Sequence, residues 1–126
     1  MGRPVNSKVQ REETSSLNTT VNKNILDNFR DSLGKYGYPM NMMLEIFMRQ
    51  YIDGEIELSE DDVAKHKDSG AEEVTLATTI NKEIYLSFKS ICKDKDLYMK
   101  HVLTAFMEKY VDGGYVLEYV KVLKEW

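Results

Sequence analysis

The hydrophobic positions of this 126-residue chain fall into two matching patterns. Residues 15–21 and 73–80 are short stretches, rich in Thr and aliphatic side chains, that alternate in character and so predict β-strands. Leu17, Thr19 and Val21 share one strand face, as do Leu76, Thr78 and Ile80. That face continues into apolar helix stripes and is expected to be core. Ser16, Asn18, Thr20, Thr75, Ala77 and Thr79 then face outward. Each strand runs into an asparagine, Asn22 or Asn81, whose side chain can accept from the first unbonded amides of a helix. Apolar residues four apart follow: Ile25, Phe29 and Leu33 in one helix, Ile84, Phe88 and Cys92 in the other. A break is expected over residues 34–39 and again over residues 93–96. Beyond it Met40, Met43, Leu44, Phe47, Met48 and Tyr51 form a second stripe at helical spacing, which Met99, Val102, Leu103, Phe106, Met107 and Tyr110 repeat. Gly54 and Gly113 end these stripes where a left-handed residue is cheapest.

Residues 17–54 align with residues 76–113 at a constant offset of 59, without a gap, and 14 of the 38 positions are identical. Chance gives about two or three at average composition. The chain therefore reads as a duplicated strand-helix-turn-helix unit of about 40 residues. One such unit leaves helix stripes uncovered and both strand edges open. Pairing the two units cures both defects. The expected fold is mainly α with a short two-stranded antiparallel β-ribbon, the two units forming an intrachain pseudo-dimer. The expected divisions are a flexible arm over residues 1–14, unit one over 15–54, an acidic connector over 55–74, unit two over 75–113, and a helix or tail over 114–126. Within the connector, Ser59 followed by Asp62 has the form of a capping box and predicts a short helix over residues 59–67.

This pattern resembles the ribbon-helix-helix superfamily of the Arc, methionine and plasmid copy-number repressors. The resemblance is carried by Leu17-Asn18-Thr19-Thr20-Val21-Asn22 leading into Ile25 and Phe29, by the turn at Gly37, and by the stripe from Met43 to Tyr51, each with its second-unit equivalent. It covers roughly 80 of the 126 residues. The resemblance implies that the ribbon enters the major groove of double-stranded DNA, where base edges present distinct donor and acceptor patterns. Ser16, Asn18, Thr20, Thr75, Ala77 and Thr79 would then read bases: Asn18 can pair bidentately with adenine, and Ala77 offers apolar contact alone. It also implies phosphate contacts at the start of each second helix, on Met40 and Asn41 in unit one and on Met99, Lys100 and His101 in unit two. The implied role is a transcriptional repressor of a plasmid, phage or other mobile element. A centromere-binding segregation adaptor and a relaxosome accessory protein are alternatives within DNA binding, and an antitoxin-like interaction module is an alternative of another class. Because the ribbon has no Arg or Lys, self-association along tandem sites is expected to help, and the C-terminal segment is a candidate contact for a protein partner.

The overall charge first argues against such a partner. Seventeen basic residues against 21 acidic ones leave a net charge of −4. Residues 55–74, however, hold eight of the acids and two of the lysines, so the units themselves are close to neutral. A single cysteine, Cys92, excludes an internal disulfide and a Cys-rich zinc site. It aligns with Leu33 and is expected to be a small buried hydrophobe. His66 lies in the acidic connector and reads as solvated. Two histidines so placed suggest no metal site, cofactor or catalytic triad, so no enzymatic activity is expected. No apolar run approaches the ~20 residues of a membrane span, and a cytoplasmic, nucleoid- or plasmid-associated location is expected.

Overall fold

In the computed structural model, which describes residues 13–67 and 70–113, strands β1 (Thr14–Asn22) and β2 (Glu73–Asn81) pair antiparallel as a two-stranded sheet. Asn18 sits opposite Ala77, and the register runs from Thr14 against Asn81 to Asn22 against Glu73. The ladder is prolonged at both ends, where the Lys23 amide donates to the Glu72 carbonyl and the Lys82 amide to the Glu13 carbonyl, each at 2.9 Å. The ribbon therefore starts inside the arm expected over residues 1–14. Residues 1–12 of that arm lie outside the described residues, as does the helix or tail expected over residues 114–126.

Each strand leads directly into two helices: α1 (Lys23–Tyr36) and α2 (Met40–Ile52) after β1, α4 (Lys82–Asp94) and α5 (Met99–Val111) after β2. The strand-to-helix transitions follow from the asparagines. Asn22 Oδ1 accepts from the Ile25 amide and Asn81 Oδ1 from the Ile84 amide, both at 3.0 Å, which satisfies one orphan donor per helix. The fold is mainly helical around this one sheet.

The breaks fall later than expected. Helix α1 runs through Gly34 as far as Tyr36, because a solvent-exposed glycine costs a helix only about 1 kcal/mol. The chain turns at Gly37, in the left-handed region at φ 71°, with its amide bonded back to Gly34. The position 59 residues on is Asp96, also left-handed at φ 61°, and α4 likewise continues to Asp94. On α1 the fully buried residue of the first turn is Leu26, while Ile25 is half-buried.

One core joins all these elements. Leu17, Val21, Leu76 and Ile80 bury one ribbon face against the helices, while α1 packs on α5 and α2 on α4. Helices from opposite ends of the chain thus cross. At the centre Phe47 of α2 and Phe106 of α5 stack with centroids 4.1 Å apart and planes 16° apart. Phe29 meets Phe106 and Tyr110 edge-on at 5.7 and 5.4 Å, and Phe88 meets Phe47 and Tyr51 edge-on at 5.9 and 5.7 Å. Edge-to-face contacts of this kind add roughly 0.5–1.5 kcal/mol each beyond their buried area. Cys92 is buried here, and burial pushes its thiol up to about 11, which removes it as a nucleophile near neutral pH.

Most described residues of the connector are exposed, as its composition suggests, but part of it packs on the fold. Ser59 caps α3 (Glu60–Ala64) through the reciprocal bonds of a capping box with Asp62. Ile56 and Val63 enter the core, and α3 packs on α5. Lys65 pairs with Glu108 at 2.6 Å and Asp62 with Lys109 at 3.0 Å, and Lys109 and Ser59 hold the Asp62 carboxyl below its usual range. His66 is also drawn in. Its side chain is 8% exposed, with Nε2 3.5 Å from Glu108 Oε1. Burial depresses its pKa, opposed by Glu108 and assisted by Lys65. A histidine kept neutral in the fold contributes stability that is full above its ordinary value of 6.5 and is lost as the pH falls below it. Urea denaturation is therefore expected to show lower stability at about pH 5.5 than at about pH 7.5, and His66→Gln is expected to flatten that difference. An equal pH response in the variant would deny His66 this role. Among the described residues, no helix is long and apolar enough to cross a membrane.

Candidate nucleic-acid interface

A two-stranded ribbon with one face buried has one face left. Strand alternation gives that face to Ser16, Asn18 and Thr20 on β1 and to Thr75, Ala77 and Thr79 on β2, and all six are exposed. The register pairs them as Ser16 with Thr79, Asn18 with Ala77, and Thr20 with Thr75. They form three cross-strand rungs, the middle one joining the longest polar side chain to the smallest apolar one. No described helix lies over them. Hydroxyl and amide groups held on a paired backbone are rigidly spaced, so their donors and acceptors can meet a fixed pattern of partners.

By sequence Glu73 counts with the acidic connector and also starts the second strand, and its parity with Thr75, Ala77 and Thr79 signals an outward side chain. In the fold it extends the exposed face by one rung. Its Oε1 accepts from Thr20 Oγ1 at 3.2 Å and lies 3.4 Å from Lys100 Nζ. That contact fastens the start of α5 to the edge of the outward face. Lys100 is consequently neutralised by a neighbour rather than presented alone. The positions 59 residues earlier are Thr14 and Asn41, both exposed and uncharged, so this ion pair has no counterpart at those positions.

The helix starts that flank the face have no capping side chain. Pro39 stands at the N-cap of α2 and Tyr98 at that of α5. Amides of a first turn have no intrahelical acceptor and favour an anion, and Met40, Asn41, Met99 and Lys100 supply them. Asn41 is exposed, and the other three are half-buried. His101 departs from the expectation. Its backbone amide donates to the Tyr98 carbonyl at 3.1 Å and its ring stands edge-on to Tyr98 at 5.4 Å. On the far side of α2, Glu45 Oε2 accepts from the Asn81 amide at 2.9 Å and anchors the end of β2 to this helix. The ribbon and the two helix starts therefore form one braced surface.

No protein family, curated protein or solved structure matches the chain.

Proposed function

We propose that this chain is a single-chain ribbon-helix-helix protein that binds double-stranded DNA sequence-specifically, with the outward face of the ribbon in the major groove, and that it serves as a transcriptional repressor of a plasmid, phage or mobile element. One observation carries the reading: the exposed, mostly polar face of an antiparallel ribbon whose other face buries Leu17, Val21, Leu76 and Ile80 in the core. A two-stranded ribbon fits the major groove, and Asn, Ser and Thr side chains pair with base edges there. The intrachain pseudo-dimer is supported by equivalences across the core. Phe47 stacks on Phe106, its counterpart 59 residues on, and the Phe29–Tyr110 contact is matched by Phe88–Tyr51. The uncapped starts of α2 and α5 on either side suit phosphates.

The test is selection from a random duplex pool with the full chain, followed by footprinting of the DNA upstream of its gene. The reading expects one enriched motif of few base pairs and a protected site whose binding weakens steeply as salt rises. Absence of any enriched sequence overturns it. Glu73 adds a second expectation. A carboxylate on the reading face repels phosphates and occupies Lys100, so Glu73→Gln should tighten binding by about threefold to tenfold, the effect of freeing one lysine for a phosphate. Titration of labelled duplex with both proteins measures it; weaker binding by the variant would mean that Glu73 positions the interface instead.

A further inference from the structure

We propose that a lysine-lined groove beside α5 holds the backbone of the same duplex beyond the bases under the ribbon. The proposal rests on the DNA reading above and specifies how its partner lies on the protein. Lys89 and Lys93 stand one turn apart on α4, both exposed, and the connector brings exposed Lys67 to the same groove of about 450 Å³. Among the described residues lining that groove, Asp96 is the one acid against three lysines. Among the described residues, no carboxylate lies within ion-pair distance of Lys67, Lys89 or Lys93. Among the described residues these three thus have no ion-pair partner, unlike Lys65, Lys82, Lys100 and Lys109.

Position decides the occupant. A second groove, of about 600 Å³, is lined by Glu73 of the ribbon face, by Lys100 and His101 at the start of α5, and by Lys67 and Tyr98, which it shares with the first. A continuous path thus leads from the outward edge of the ribbon, past the helix start, to the three lysines. A polyanion seated on the ribbon and leaving by this side would meet them in order. Lysines without carboxylate partners contribute to DNA binding by releasing condensed counterions, without regard to sequence.

The experiment compares the full chain with a Lys67→Gln/Lys89→Gln/Lys93→Gln variant on the selected duplex, by phosphate ethylation interference and salt titration. All three residues are exposed, so the variant should melt with the parent. The parent should show interfering phosphates that extend beyond the motif. The variant should lose the outer set, keep the same base preference, and show a salt slope smaller by roughly 2 to 3. Interference confined to the motif in the parent, or an unchanged slope in the variant, overturns the lysine groove and leaves the DNA reading standing. Failure of the parent to select any duplex overturns both. Loss of binding to poly-glutamate by the variant, with DNA binding unaltered, would assign the groove to an acidic protein segment and overturn the proposal as well.

Discussion

Replacement of Phe47 by Ala is expected to destabilise the protein by about 3–5 kcal/mol, a large share of the roughly 5–15 kcal/mol that holds an ordinary domain folded. The reason is position as much as size. Phe47 is 1% exposed, stacks on Phe106 at 4.1 Å, and touches Phe88 and Tyr51 edge-on or tilted, so its loss opens the middle of a core to which both halves of the chain contribute. Neighbouring rings cannot close the gap without leaving their own contacts with Phe29 and Tyr110. Urea denaturation measures the effect, and Phe106→Ala should match it closely. In the double variant the two losses should fall short of additive by about 0.5–1.5 kcal/mol, the coupling expected of a directly stacked pair. A loss under about 1 kcal/mol for either single change would mean that the two halves do not share this core. The same experiment reports on chain pairing. Strands paired within one chain give a denaturation midpoint independent of protein concentration, whereas strands paired between chains give one that rises with it.

Asn18→Ala is expected to act on the opposite property, leaving stability within about 0.5 kcal/mol and lowering preference for the selected motif by roughly 5- to 150-fold, the equivalent of about 1–3 kcal/mol for one bidentate base contact. Asn18 is exposed and stands opposite Ala77 on the middle rung, so no other side chain of that rung can replace its paired donor and acceptor. The loss should be confined to one base position. Affinity for unrelated duplexes should hardly change, because phosphate contacts supply it. Competition binding with single-base variants of the motif measures this, and a uniform loss across all sequences would make Asn18 a positioning residue.

The sequence made the ribbon and its faces legible because strands have a strict period of two. Leu17 and Val21 on one side and Ser16, Asn18 and Thr20 on the other follow from parity alone. The asparagine caps and the Ser59 capping box were equally legible, since each is a local hydrogen bond between residues three apart. What could not be read locally is what the chain does over longer distances. Nothing near Gly34 says that the helix passes through it, because the cost is small and the turn itself is made at Gly37. Most of the connector is exposed as its composition suggests, yet Ile56 and Val63 are buried and His66 lies against Glu108 of α5, a contact some 40 residues further on. Of the candidate site, the six ribbon residues are together as expected. The pairing of Glu73 with Lys100, and the groove that Lys67 shares with Lys89 and Lys93, depend on where the connector returns to the fold.

The most direct measurement of whether this face reads DNA is methylation interference on the selected duplex. Dimethyl sulfate methylates guanine N7, which lies in the major groove, and adenine N3, which lies in the minor groove. A ribbon in the major groove predicts that guanine N7 methylation within the motif blocks binding, that adenine N3 methylation there does not, and that Asn18→Ala/Thr79→Ala loses the parent's base preference. Interference by N3 methylation alone, or a double variant that binds every sequence as the parent does, would contradict the account.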